Sequence, residues 1–577
     1  MTTRSRFLVF TLAAVLAATG AGQAQQLPQT WQEQQKFRSG PTPFEPLMRF
    51  WYELDAASPL VNMRPLTRTL LDRPMELITI ADPPITNPQD ALRSGKTIVL
   101  LAPSVHGGEV SPKEAVQLIA KELVAGELKP LLRDVIVLAL PLVNPDGGEV
   151  RRRTNEAGYD MNRDYVKLES QEIHALVTQV MNEWTPDIHV DGHHGGSAPY
   201  VITYQGTLNP AADAELRAYP YQEIFPKIRE AVRAEDYDAF DYSGVTTRGG
   251  VQGWGSTSVE ARKHHVYTGL TNSIGILLET PNNTHRVMRD RTIQPIAEAD
   301  RYYHQIRGGV LAMRTILGVA AAQRTAIRAL TTGARERAIR AGAAGADNVV
   351  LEYELQSRGS EPVWMPAGTT PVSYTLRDVP VYLRFQPTRT TTRPLGYLLP
   401  PAMAAVVPKL QAHDIAVYRF RTPVTLDAEV YYATSVQRDS YFQGHYLKSV
   451  DVVKERDKLN VVPGWYWIPT AQSRANLISY LLEPETDDNL ITWGWADHVL
   501  EVRPKTVEEG LAALAAAMEI DLAAQTEQRR AQLRAQVEKA LTARQRVPMM
   551  RVTTPQAMPV VEVEPFNRYQ PNRYYQP

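Results

Sequence analysis

The chain has 577 residues, 44% of them hydrophobic, which is enough apolar material for two or three domains. Lys and Arg total 62 against 63 Asp and Glu, and a net charge of -1 gives no basis for nucleic acid binding. Cysteine is absent, which excludes a disulfide framework and a thiolate metal site and leaves histidine and carboxylate as metal ligands.

The N-terminus carries Arg4 and Arg6, then the apolar stretch Phe7 to Ala18, then the small-residue site Gly22-Gln23-Ala24. That order of charge, apolar run and small residues predicts a secretory signal over 1–24, with the mature chain beginning near Gln25 in the periplasm or outside the cell. The apolar stretch is short for a bilayer span, no Cys follows it, and no later run approaches the length of a membrane helix. The sequence therefore predicts export without a membrane anchor.

Four apolar runs further on each end in polar or ionisable residues. Thr97 to Leu101 leads into His106-Gly107-Gly108-Glu109, and Val135 to Val143 into Asn144-Pro145-Asp146-Gly147. Asp187 to Gly192 leads into His193-His194, and Ile274 to Leu278 into Glu279. Short continuous apolar runs suit strands buried on both faces of a largely parallel sheet covered by helices, and in such sheets ligands bind at the carboxyl ends of the strands. A His and a carboxylate three residues apart on a turn can face one cation, and a third nitrogen from elsewhere leaves the fourth zinc position open.

Several of these residues admit two readings. His189 and His193 share a strand face but lie roughly 13 Å apart at about 3.3 Å per residue, so one of them at most reaches the cation. The carboxyl-end rule favours His193 or its neighbour His194, and His189 reads as a core histidine or one that supports a ligand from behind. Glu279 is either a cap for the turn Thr280 to Asn283 or a desolvated carboxylate of raised basicity. The run Arg151-Arg152-Arg153 reads by default as a solvated basic face. Asn162-Arg163 is either a salt-bridge partner of Asp160 or Asp164, or a fork of donors for a carboxylate.

Taken in order, His106 to Glu109, Asn144 to Gly147, Arg152-Arg153-Thr154, Gly158 to Arg163, Asp191-Gly192-His193 and Glu279 resemble the zinc carboxypeptidases of the funnelin (M14) family. The resemblance covers about Pro41 to Leu317. It implies one zinc per chain held by His106, Glu109 and His193, with Glu279 as the general base. It also implies Arg152 as the oxyanion-stabilising group, with Arg153 as the alternative one residue along, and Asn162 and Arg163 as the pair that binds a free C-terminal carboxylate. The family's mobile tyrosine has no matching motif here, and Tyr242 and Tyr267 both stand open.

Beyond Leu317 the character changes. Thr325 to Gly345 is Ala/Arg-rich and reads as helix. Period-2 segments such as Val349 to Tyr353, Val379 to Phe385 and Ile415 to Phe420 predict a β-rich accessory domain over 346–505, with a helix at Ala402 to Gln411. Thr506 to Gln545 has the composition of one long helix, and 547–577, rich in Pro, Asn, Gln and Tyr, reads as a disordered tail.

The expected fold is α/β: a mixed, largely parallel sheet flanked by helices over 41–317, followed by a β-rich α+β unit. The expected function is a secreted metallocarboxypeptidase acting on peptides with a free C-terminal carboxylate. An amidohydrolase acting on N-acyl amino acids or cell-wall peptides is the alternative, and a non-catalytic binding protein the third reading.

Overall fold

The computed structural model describes residues 27–367, 373–500, 506–542, 545–559 and 561–564. Its N-terminal half is built on an eight-stranded sheet. In chain order the strands are β1 (Val61–Arg68), β2 (Pro74–Ile80), β3 (Thr97–Pro103), β4 (Val135–Ala139), β5 (Ile188–His193), β6 (Ile202–Gly206) and β7 (Ala239–Asp241); β8 (Gly244–Arg248) and β9 (Val251–Gly255) form a separate hairpin; and β10 (Ile274–Glu279) returns to the sheet. The spatial order is β1-β2-β4-β3-β5-β10-β6-β7. The central run β4-β3-β5-β10 is parallel, while β2 and β6 join it antiparallel.

Every residue of β3, β4, β5 and β10 is buried, as the apolar runs of β3, β4 and β10 predict, and β5 buries His189, Asp191 and His193 along with its apolar residues. Alternation divides them between two cores. Val99, Leu101, Val135 and Val137 pack under the helices Ser111–Ala125 and Arg301–Ala322. Ile98, Leu100, Ile136 and Leu138 face a core that also contains Tyr397, Leu399, Leu477 and Trp493 from the C-terminal half. Each such side chain contributes about 1.5–3 kcal/mol of burial, so the two halves share apolar stabilisation.

The C-terminal half departs from a self-contained accessory domain. After the short hairpin β11 (His285–Val287) and β12 (Ile293–Pro295), two 20-residue strands, β13 (Asn348–Ala367) and β14 (Ser373–Thr392), form an antiparallel arm. β14 pairs in parallel with β9, so this arm completes a four-stranded sheet with the hairpin from the first half. A seven-stranded sheet follows, built from β15 (Gly396–Leu399), β16 (Tyr418–Phe420), β17 (Val424–Phe442), β18 (His445–Val461), β19 (Tyr466–Pro469), β20 (Gln545–Val552) and β21 (Val561–Val563).

Two expectations are corrected here. The single helix over 506–545 is two, Val507–Ala517 and Glu527–Thr542, separated at 518–526. The tail expected over 547–577 contains strands: β20 lies between β17 and β15, with Val547, Met549, Met550 and Val552 buried. Its apolar residues occupy both faces of the strand, so they give no period-2 signal. Residues 1–24, read as an export signal, and 565–577 lie outside the described residues. Among those described, no single helix is long and apolar enough to cross a membrane.

Candidate metal centre and active site

The turn after β3 and the end of β5 bring the proposed ligands together. Gly107 allows this approach, because a Cβ there would stand 2.1 Å from the Gly147 carbonyl carbon. The Asn144-Pro145-Asp146-Gly147 motif forms the opposing turn. Asn144 caps the short helix Pro145–Val150 by accepting from the Gly147 N–H at 2.9 Å, with Pro145 in the first turn. Asp146 is structural, accepting from Thr69 Oγ1 at 2.7 Å and Arg73 Nη1 at 2.8 Å.

The donor atoms of His106, Glu109 and His193 lie within 4.8 Å of one another. His106 Nδ1 is 2.7 Å from Glu109 Oε1, His193 Nδ1 is 2.7 Å from Glu109 Oε2, and the two Nδ1 atoms are 3.2 Å apart. Two nitrogens each bonded to one zinc at about 2.0–2.1 Å adopt a separation close to that. The other face of each ring supports the same assignment. His106 Nε2 lies 2.9 Å from Asp160 Oδ1, and His193 Nε2 lies 2.9 Å from Asp191 Oδ1. A carboxylate on Nε2 holds the proton there and turns the Nδ1 lone pair toward a cation. Two imidazoles and one carboxylate, each ring backed by a buried acid, fit a zinc ion.

Burial opposes charge on Glu109, yet His193 and His106 hold its carboxyl well below the usual range. The His194 N–H also donates to Glu109 Oε2 at 3.2 Å. His189 is a core residue, with its Nδ1 3.4 Å from His264 Nε2, and burial pushes its pKa down.

Glu279 lines the same cavity, of about 570 Å³, with His106, Glu109, Arg153, Asn162, Arg163, His193, Tyr242, Lys263 and His265. Burial pushes the Glu279 carboxyl up to about 8, with Glu109 and Asp191 adding to the rise and His193 opposing it. Its Oε2 is buried without a hydrogen-bond partner among the described residues. Gly195 leaves that oxygen its space, since a Cβ there would come within 2.6 Å of it.

The arginine assignment moves by one residue. Arg152 turns to the surface, donating to Glu156 Oε2 at 2.6 Å and the Asn155 carbonyl at 3.0 Å. Arg153 reaches the cluster, donating to Asp160 Oδ2 at 2.9 Å and Glu109 Oε1 at 3.2 Å. The alignment on a repeated Arg could not separate neighbours that point opposite ways. Asn162 and Arg163 also divide their work. The Asn162 amide nitrogen donates to Asp191 Oδ2 at 3.4 Å beside the His193 ring and its oxygen accepts from the His264 N–H at 2.8 Å, while Arg163 lines the cavity.

Tyr242 stands at this cavity, and burial with the charges of Glu279 and Glu109 raises its hydroxyl to about 12. Tyr267 is fully buried and bonded to His413 Nδ1 at 2.8 Å, far from such a role. Asp160 and Asp191 were missed from the sequence as partners of the ligands. Their signal was spacing: Asp191 precedes His193 by two residues on β5, so both side chains share one face. A roomier cavity of about 790 Å³, lined by Tyr159, Lys409, Trp493 and Trp495, holds none of the metal donors, and donor chemistry rather than size selects the site.

The His/Glu/His cluster stands at the carboxyl edge of a parallel-centred α/β sheet, where such sheets place their ligand sites. Residues 47–301 match the model of the zinc carboxypeptidase family, peptidase M14, and the chain carries a domain of that family. Carboxypeptidase 2 of Trichophyton rubrum is 24% identical over 418 residues, covering 70% of this chain and 74% of its own, and the Trichophyton tonsurans protein of the same name is also 24% identical over 424 residues, with the same coverage. Among solved structures, a metallo-carboxypeptidase from Burkholderia cenocepacia aligns at 21% identity and TM-score 0.37, over 48% of this chain and 69% of its own. A metallo-carboxypeptidase from Pseudomonas aeruginosa in complex with (2-guanidinoethylmercapto)succinic acid aligns at 20% and 0.37, over 50% and 70%.

Proposed function

We propose that the protein is an exported zinc carboxypeptidase that removes residues from the C-terminus of peptides, with one zinc held by His106, Glu109 and His193. The observation that carries this is the convergence of those three donors in one cavity with Glu279 and Arg163. A bound zinc supplies Lewis acidity there, polarising the scissile carbonyl and lowering the pKa of water.

The remaining steps belong to the chain. Arg163 pairs with the terminal carboxylate and sets the last peptide bond over the donors. Glu279 Oε2 takes a proton from the attacking water as the carbon–oxygen bond forms. Arg153 stabilises the oxygen charge that develops on the carbonyl. Glu279 then returns the proton to the departing amine as the carbon–nitrogen bond breaks, leaving a shortened peptide and a free amino acid. A carboxylate at the end of a buried strand, facing the three donors across one cavity, is suited to both transfers.

The test is a peptide library in free-acid and C-terminally amidated forms, read by mass spectrometry. The carboxypeptidase reading predicts stepwise loss from the free acids alone. Release of acyl groups from N-acyl amino acids, with no peptide trimmed, would favour the amidohydrolase instead. Export rests on the pattern of Arg4, Arg6, the apolar stretch to Ala18 and the Ala24 site. N-terminal sequencing of the protein recovered outside the cytoplasm tests it, with a start near Gln25 expected.

A further inference from the structure

The C-terminal sheet reaches the candidate centre from behind. β17 and β18 form a hairpin whose tip, Phe442 to His445, lies against the loop that carries Tyr159 to Arg163. At that tip the Asp160 backbone N–H donates to Gln443 Oε1 at 2.8 Å. Gln443 and Gly444 both have positive φ, 49° and 85°. A side chain at position 444 would be strained by that backbone and would place its Cβ 3.2 Å from the Tyr159 ring.

A second contact locks the tip in place. His445 Nε2 lies 2.9 Å from Glu169 Oε1, and Glu169 Oε2 accepts from buried Lys167 at 3.0 Å. The Lys167 ammonium in turn lies over Tyr159, 4.9 Å from the ring centroid, and 5.4 Å from that of Trp493. The hairpin tip is therefore tied to the segment bearing Asp160, directly through Gln443 and indirectly through Glu169 and Lys167, and the Asp160 carboxylate in turn faces His106 and receives Arg153.

We propose that Gln443 is a positioning residue for the metal centre: by fixing the Asp160 backbone it fixes the carboxylate that orients His106, so the C-terminal sheet is a working part of the active site. This rests on the zinc-site reading above. Loss of a group that orients a ligand lowers metal affinity by about 10–100-fold, and Gln443, one bond further out, belongs near the lower end. Its amide oxygen is the group in question, so Gln443→Met removes the acceptor at nearly constant length, while Gln443→Glu keeps one.

The experiment strips metal from the full chain and measures zinc affinity by chelator competition, alongside the thermal midpoint of the metal-free protein. Expected is about tenfold weaker zinc binding by Gln443→Met, an unchanged metal-free midpoint, and recovery of most of the affinity in Gln443→Glu. Wild-type zinc affinity in Gln443→Met would overturn the proposal. So would a fall in the metal-free midpoint that accompanies the lost affinity and is not reversed in Gln443→Glu, which would mark a merely structural contact. Failure of the wild-type protein itself to bind zinc would instead reject the zinc site on which the proposal rests.

Discussion

His193 and Glu279 are register partners, Cα opposite Cα at the carboxyl ends of the adjacent parallel strands β5 and β10. Parallel pairing holds neighbouring strands about 4.8 Å apart, so the ring of a proposed ligand and a carboxylate are brought side by side there without help from any loop. The pairing also explains why Glu279 is so strongly desolvated: it ends a strand buried along its whole length, and its Oε2 has no hydrogen-bond partner among the described residues. The proposed base is thus held at the end of a fully buried strand inside the eight-stranded sheet, and loops supply most of the groups around it.

The two arginines separate cleanly. Arg152 makes a half-exposed pair with Glu156, and such pairs contribute about 0–1 kcal/mol. Arg152→Ala is expected to keep kcat/KM within about twofold of wild type and to shift stability by less than about 1 kcal/mol. Arg153→Ala is expected to lower kcat about a hundredfold, the scale of losing one oxyanion donor. Steady-state kinetics on one peptide for both variants checks the assignment, and the opposite order of effects would restore Arg152.

Arg163 acts on binding more than on chemistry. A charge-assisted pair with the substrate carboxylate contributes about 1.5–3 kcal/mol, so Arg163→Ala is expected to raise KM for free-acid peptides about 10–100-fold with a smaller change in kcat. Amidated peptides should not distinguish the variant from wild type. An unchanged KM for the free acid would remove Arg163 from substrate recognition.

Glu172 carries a pH dependence of stability away from the metal centre. Burial pushes its carboxyl from the ordinary 4.5 up to about 7, against the hydrogen bond from Asn155, and its Oε1 is buried without a partner among the described residues. The folded protein therefore holds a proton that the unfolded chain releases above about 4.5. Stability contributed by this group is present below pH 4.5, falls as pH rises to about 7, and is constant above that, a loss of about 3 kcal/mol over the window. Denaturant titrations of Glu172→Gln between pH 4.5 and 8 should show that slope reduced relative to wild type. Parallel slopes for the two proteins would contradict the assignment.

The sheet and the three convergent donors were legible because burial on both faces demands unbroken apolar strands, and the chemistry then falls where the runs end. His106, Glu109, His193 and Glu279 all stand at such ends. Arg153 was not separable from Arg152, since a one-residue slip on an irregular turn reverses a side chain without changing the composition. The pairing of β14 with β9 involves Val381 with Trp254 and Tyr382 with Gly255, partners more than a hundred residues apart that leave no local trace. β20 was hidden differently: Pro548 and the tandem Met549-Met550 obscure a strand whose burial is decided by the sheet around it.

The most direct test compares wild-type protein with Glu279→Gln, measuring zinc content and turnover of one free-acid peptide on the same samples. The amide keeps the shape of the side chain but cannot accept a proton, so zinc content should stay at one per chain while turnover falls between about a hundredfold and ten-thousandfold. Near wild-type turnover in Glu279→Gln, with zinc bound, would contradict the role assigned to Glu279 and the mechanism built on it.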